Sequence, residues 1–268
     1  MIRNSALYVN FGGQHKTTID YNKGMTFSPL MSAATGAMVR MFSQDCQLCG
    51  VAANGVICVD CARELPFRAE PGCPCCGESG SAGQLCGACL AVPPYFDATV
   101  SAFRYEFPLD RLLQAYKFRA NLALTGMLAD ALAAQVQRHW ADSGGARPDL
   151  IMPMPLAARR LAERGFNQSA LLGRALAERF NLRYAASGLA RVRDTRPQTG
   201  LKRVERQQNV KNAFTFNPGQ QDVSGLRIAL VDDVMTTGAT MSEAARALKK
   251  AGASAVDAWA VARALQHR

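Results

Sequence analysis

In the second half of the chain, short continuous apolar runs alternate with stretches whose apolar residues recur at helical spacing. Residues 226–231, apolar except for Arg227, predict a buried strand, followed by a helix over 241–251 and a further strand over 255–262. Upstream, 149–152 predicts a short strand, about 167–179 a helix and 188–192 another strand. Residues 99–105 are strand-like, Pro108 opens an amphipathic run over 109–137, and Ser143-Gly144-Gly145 breaks it. Strands separated by helices of this length predict an α/β domain, with a parallel sheet covered by helices on both faces.

Elsewhere the pattern lapses. Residues 1–45 show no sustained period and read as a disordered extension, in which Met25, Met31, Met38 and Met41 are candidate alternative starts. Residues 46–90 are rich in Gly and Cys and too few to build a core alone. Residues 91–98, with Pro93-Pro94, read as a linker into the α/β domain, giving an expected division at 1–45, 46–90 and 91–268. Residues 195–210 are polar and basic with no apolar stripe, as in a long loop or mobile flap.

The chain is 49% hydrophobic, enough for a sizeable core, yet no apolar run approaches the roughly eighteen residues of a membrane span. Asn10, Gln14, His15, Lys16, Asp20 and Lys23 interrupt the N-terminal apolar residues, so no secretory pattern forms and a cytoplasmic protein without membrane insertion is expected. The formal charge is +10 and unevenly placed, with thirteen Lys and Arg against four Asp and Glu over 156–211. Such a stretch suits pyrophosphate or a nucleic-acid backbone, and equally a solvated surface.

All nine cysteines lie between Cys46 and Cys89, and eight form Cys-x-x-Cys pairs: Cys46/Cys49, Cys58/Cys61, Cys73/Cys76 and Cys86/Cys89. A Cys-x-x-Cys turn puts two thiolates on one side of a knuckle, and two knuckles complete a tetrahedral S4 site suited to zinc in a reducing compartment. The nearly equal gaps between knuckles suggest two small ribbons in tandem, with the sharing of ions left open. Gly50, Gly77 and Gly87 follow cysteines, as tight turns need, and Cys75 is left over. With every position filled by sulfur, no site stays open for substrate, so the zinc is expected to be structural.

The other chemistry follows the strand over 226–231. Asp232-Asp233 stands at its end, then Met235-Thr-Thr-Gly-Ala-Thr240, then a helix. A loop between strand and helix aims backbone N–H groups and the positive end of the helix dipole at an anion. Thr236, Thr237 and Thr240 add hydroxyls, Gly238 admits close approach, and two adjacent carboxylates can accept hydrogen bonds from both hydroxyls of a ribose. The same residue types are ordinary helix caps, and Thr240 with Glu243 would make a capping box. The ordered run is nevertheless far more specific than any one of its parts.

This run resembles the signature loop of the type I phosphoribosyltransferases. The wider sequence resembles the ComF family, double-zinc-ribbon phosphoribosyltransferase-like proteins linked to natural competence. The resemblance covers about Cys46 to the C-terminus and includes the cysteine pairs, Ala115-Tyr-Lys117-Phe-Arg119, Met152-Pro-Met-Pro155 to Arg159-Arg160, Arg164-Gly165-Phe166-Asn167-Gln168 and Arg196-Pro-Gln198-Thr199-Gly200-Leu201 to Arg206. It implies that Asp232 and Asp233 contact ribose hydroxyls, and that Thr236, Thr237, Gly238, Ala239 and Thr240 hold the 5-phosphate of 5-phosphoribosyl-1-pyrophosphate, with magnesium bridging ribose and pyrophosphate oxygens. The basic loop after 149–152 falls where this fold holds pyrophosphate, with Arg159 and Arg160 as the candidate contacts. Alternatively, Arg164–Gln168 only turns the chain into a helix capped by Asn167. Residues 196–206 resemble the mobile catalytic loop, with Lys202 and Arg203 as candidates.

Such a site works by positioning and electrostatics rather than by a protein nucleophile. His15, His139 and His267 all lie outside the motifs, which argues against Cys/His or Ser/His catalysis. Three functions remain open on the sequence. The first is a ligand-binding protein of DNA uptake, with single-stranded DNA and other uptake proteins as partners. The second is an active phosphoribosyltransferase of nucleotide salvage, whose acceptor is not legible. The third is a zinc-ribbon interaction protein with a vestigial pocket.

Overall fold

The computed structural model describes residues 7–8, 18–19, 44–144, 146–193 and 210–264. Its contacts divide the chain into two compact units, with the boundary between Leu65 and Pro66. Of the expected N-terminal extension over 1–45, the described residues are β1 (Leu7–Tyr8) and β2 (Thr18–Ile19), which pair antiparallel, and its last two residues. The first unit then carries β3 (Gln44–Asp45) and β4 (Ala52–Ala53), an antiparallel pair, and the short helix α1 (Val59–Arg63).

The second unit opens with the other cysteine knuckles and α2 (Gly87–Ala91). There follow β5 (Ala98–Arg104), α3 (Leu109–Phe118), α4 (Leu124–Ser143), β6 (Leu150–Pro153), α5 (Ala158–Arg164), α6 (Gln168–Phe180), β7 (Arg183–Tyr184), β8 (Leu189–Arg191), β9 (Phe214–Phe216), β10 (Arg227–Met235), α7 (Ala239–Lys250) and β11 (Ala255–Arg263). Five strands form one parallel sheet in the order β5-β11-β10-β6-β7. β10 is central and pairs with β11 on one side and β6 on the other, which explains the apolar run over 228–231: a strand stretch covered on both faces cannot alternate with polar residues. Ile228 and Leu230 pack with Met241, Ala244, Ala245 and Leu248 of α7. On another side of the sheet Trp259 of β11 meets Trp140 of α4 and Phe180 of α6. The expected α/β fold of phosphoribosyltransferase type, preceded by a Cys-rich ribbon region, is the one observed.

Several local expectations are corrected. The apolar run over 109–137 breaks into α3 and α4, with Ala120 between them in the left-handed region at φ 50°. The strand expected over 188–192 does not join the main sheet; β8 pairs antiparallel with β9 in a separate ribbon. The basic segment after β6 holds a helix, α5, where a loop was expected. The central strand runs past Val231 to Met235, so Asp232 and Asp233 belong to it rather than following it. The candidate capping box does not form. Gly238 occupies the N-cap of α7, and the buried Glu243 accepts from the Asn212 N–H at 2.6 Å and pairs with Arg246. Among the described residues no helix is long and apolar enough to cross a membrane.

Candidate functional site

β6 leads through α6 to β7 at one edge, whereas β10 leads through α7 to β11 on the other side. The loops leaving the carboxyl ends of these two neighbours therefore part, and the crevice between them is where open α/β sheets hold ligands. A cavity of about 800 Å³ opens there. Asp232 and Asp233 line it together with Lys117, Arg160, Arg164, Arg191 and the aromatic rings of Tyr105, Phe118 and Phe166.

The acidic pair is held from three elements. Asp232 Oδ1 accepts from Ser169 Oγ at 2.8 Å, in the first turn of α6, and from the Asp233 N–H at 2.9 Å. Ser169 is placed there because Asn167 caps α6 by accepting from the Ser169 N–H at 3.0 Å, while the Asn167 amide donates to Met154 O at 3.0 Å. Asp233 is buried, its Oδ1 accepting from the Val234 N–H at 2.7 Å. Lys117 Nζ, from the last turn of α3, stands 3.0 Å from Asp233 Oδ2. That contact is an ion pair without hydrogen-bond alignment, and Oδ2 has no aligned donor within the protein. Burial, then the neighbouring Asp233 carboxylate, push Asp232 up to about 7, against the opposing pull of Lys117 and the Ser169 hydroxyl.

Beyond Met235 the chain turns into α7. Thr236, Gly238 and Thr240 line the cavity; Thr237 Oγ1 instead accepts from the Ala239 N–H at 3.3 Å, and neither Thr237 nor Ala239 is among the lining residues. Gly238 has φ 78°, a backbone that side chains other than glycine's seldom adopt. A Cβ there would lie 2.7 Å from Met235 Cε and 3.3 Å from the Phe96 ring. The glycine thus serves the turn and its packing on Met235 and Phe96, besides any close approach by a ligand.

Of the two arginines singled out in the sequence, Arg160 lines the cavity, whereas Arg159 pairs with Glu163 at 2.8 Å on the exposed side of α5. Arg164 is the cation the sequence reading passed over. It donates to Gln168 Oε1 at 2.6 Å and lies 5.3 Å from the Phe118 ring centroid. Lys117 and Ser169 were likewise missed. Lys202 and Arg203 lie outside the described residues.

The cysteines gather into two groups, Cys46/Cys49/Cys58/Cys61 in the first unit and Cys73/Cys76/Cys86/Cys89 in the second, each with its sulfurs within 4.8 Å of one another. Cys49 and Cys58 Sγ are 3.7 Å apart, and Cys76 and Cys86 Sγ 3.6 Å. Four zinc–sulfur bonds in a tetrahedron place sulfurs about 3.8 Å apart, so both groups fit zinc. In each group backbone N–H groups favour ionisation of one sulfur. Burial opposes ionisation of Cys46, but the N–H groups of Cys49, Cys58 and Leu48 prevail and bring it down to about 6. Burial likewise opposes ionisation of Cys73, and the N–H groups of Cys76, Cys86 and Cys75 bring it to about 7. Cys75 belongs to neither group. Gly50 and Gly77 take the left-handed turns expected after cysteines; Gly87 instead begins α2.

Residues 37–90 match the double zinc ribbon domain, and residues 167–268 match the phosphoribosyl transferase domain. The chain is 38% identical over 210 residues to the DNA utilization protein YhgH of Salmonella typhi, covering 78% of this chain and 91% of that protein. It is 34% identical over 232 residues to Competence protein F of Haemophilus influenzae, covering 85% of this chain and 100% of that protein. The chain belongs to the ComF family. A more distant ComF-family relative is Competence protein ComFC of Bacillus subtilis, 26% identical over 205 residues, which cover 74% of this chain and 80% of that one.

Proposed function

We propose that this ComF-family protein binds the ribose 5-phosphate moiety of 5-phosphoribosyl-1-pyrophosphate and acts in the uptake or processing of DNA. The observation that carries the first half is the carboxylate pair at the cavity end of β10, placed just before the N-terminus of α7. Ribose hydroxyls donate to Asp232 and Asp233, and the unaligned Oδ2 of Asp233 has acceptor capacity to spare. The 5-phosphate takes the turn from Thr236 to Thr240, where hydroxyls and the helix dipole favour an anion. Arg160 and Arg164 supply the pyrophosphate contacts, with Arg164 in the place first given to Arg159. Lys202 and Arg203, outside the described residues, are the proposed catalytic cations.

The donor set also fits magnesium, a hard cation that prefers carboxylate and phosphate oxygens. Asp232 and Asp233 would hold it, and its charge would offset that of the pyrophosphate. The DNA role rests on the names of the relatives, a competence protein and a DNA utilization protein. Two all-sulfur sites that need thiolates support a reducing, cytoplasmic setting.

A second reading, transfer of the phosphoribosyl group, is favoured by the aromatic wall of Tyr105, Phe118 and Phe166, which suits a planar acceptor. In that reaction an acceptor nitrogen attacks C1 as the C1–O bond to pyrophosphate breaks, and pyrophosphate leaves with the electron pair. Calorimetric titration of the zinc-loaded protein with 5-phosphoribosyl-1-pyrophosphate and magnesium tests the binding reading, with micromolar affinity expected. Absence of binding would leave a zinc-ribbon docking protein with a vestigial pocket.

A further inference from the structure

Arg263, the last residue of β11, is buried, with 2% of its surface exposed. A guanidinium cannot shed its charge, so burial requires that its donors be met by the protein. Its partners fall into two groups. On one side Nε donates to Cys76 O at 2.9 Å, and Nη2 pairs with Glu78 Oε2 at 3.0 Å. On the other, Nη1 donates to the carbonyls of Thr236 and Ala264, with Met235 O at 3.4 Å. Cys76 is a sulfur donor of the second zinc group, and Thr236 begins the turn into α7. One rigid planar fork thus joins a zinc knuckle to the phosphate loop.

A second path runs alongside. Thr99 at the start of β5 donates through Oγ1 to Cys75 O at 2.6 Å and through its N–H to Pro74 O at 3.1 Å. Cys75 Sγ lies 3.8 Å from Phe96 O, and the Phe96 ring backs Gly238. The knuckle therefore bears on both ends of the Thr236–Gly238 turn. Both paths lie within the second unit, whereas the first zinc group belongs to the other.

We infer that metal in the second ribbon fixes the conformation of the phosphate loop, and that Arg263 is the positioning residue between them. Without the ion, four sulfurs no longer hold the knuckle closed. The Cys76 carbonyl then shifts, and the guanidinium loses the acceptor that aligns its other edge on Thr236. The consequence for ligand affinity rests on the sugar-phosphate reading above; the mechanical link does not.

The test is hydrogen exchange on the full zinc-loaded chain, comparing residues 235–241 with the strand core 227–231. Cys86→Ser should speed exchange over 235–241 at least tenfold while 227–231 stays protected, and Cys58→Ser in the first ribbon should change neither. Equal protection of 235–241 in these two variants overturns the inference. Arg263→Lys keeps every cysteine and the positive charge but not the fork. It should retain two zinc ions per chain and still loosen 235–241. An unchanged loop, or loss of the strand core together with the loop, overturns the positioning role. Titration of the wild type with 5-phosphoribosyl-1-pyrophosphate and magnesium judges the sugar-phosphate reading independently. Where it binds, Arg263→Lys and Cys86→Ser should each weaken affinity at least tenfold, and unaltered affinity again counts against the link.

Discussion

Ser169 Oγ donates to Asp232 Oδ1 at 2.8 Å, tying the first turn of α6 to the end of the central strand. The bond favours the ionised carboxylate, against the burial and the Asp233 charge that favour the neutral one. Ser169→Ala removes the donor, so the Asp232 pKa should rise further. Carboxyl titration followed by NMR or infrared spectroscopy reads this directly, and an unmoved titration would show that the hydroxyl does not hold the charge.

The raised Asp232 also makes stability depend on pH. Between its ordinary value of 3.8 and its folded value of about 7, the folded chain carries more of this proton than the unfolded chain. The contribution is fully present below about 4 and is lost as pH rises through about 7. Urea midpoints measured across this window should fall with pH more steeply in wild type than in Asp232→Asn. The double variant Asp232→Ala/Asp233→Ala should lose binding of 5-phosphoribosyl-1-pyrophosphate with magnesium while keeping two zinc ions. Undiminished affinity would remove the carboxylate pair from the site.

Lys117 stands 3.0 Å from Asp233, which is itself buried. Lys117→Met keeps most of the side-chain volume but strips the cation from the carboxylate. Leaving a buried charge unpaired costs about 3 kcal/mol or more, although the side chain of Lys117 is partly open to the cavity and solvent reduces that figure. A lowered melting temperature and roughly tenfold weaker ligand binding, about 1.4 kcal/mol, are expected from thermal unfolding and calorimetry.

Gly238→Ala places a methyl group 2.7 Å from Met235 Cε at φ 78°. The left-handed backbone alone costs about 1–2 kcal/mol for a residue with a Cβ, and the clash adds to it. Thermal unfolding should show the loss, with affinity for ribose 5-phosphate reduced alongside. A neutral substitution would mean that the turn relaxes freely.

Cys75→Ser should retain two zinc ions per chain by elemental analysis, whereas Cys76→Ser should lose one. The adjacent residues differ because only Cys76 has its sulfur in the second group. Equal loss in both would reassign the donor set.

The parts of the site visible in the sequence are those whose residues adjoin one another: an apolar strand, two carboxylates, a Thr/Gly turn and paired cysteines. Lys117, Ser169 and Arg263 join it from distant elements, and the signal each left is a polar residue on an apolar face. Ser169 heads a buried stripe of Leu172, Gly173 and Leu176, Lys117 follows Leu112, Leu113 and Tyr116, and Arg263 ends a strand buried throughout. Such positions show that a partner is required but not which one, because the partner is set by how strands order themselves across the sheet. The same limit hid the pairing of β8, because a short strand at 188–192 fits a main sheet and an edge ribbon alike. It also hid α5, because a short exposed helix with none of its residues buried leaves no apolar stripe.

The strand order β5-β11-β10-β6-β7 has a consequence for biogenesis. β5, made first, has β11 as its sheet neighbour, and Asp97 beside it receives the Val256 N–H from 159 residues downstream. During translation the nascent chain therefore carries β5 without its sheet neighbour until β11 leaves the ribosome, and pairings this distant in sequence close slowly. Ribosome stalling before β11 should leave β5 open to chaperone capture, with release following once β11 slots between β5 and β10.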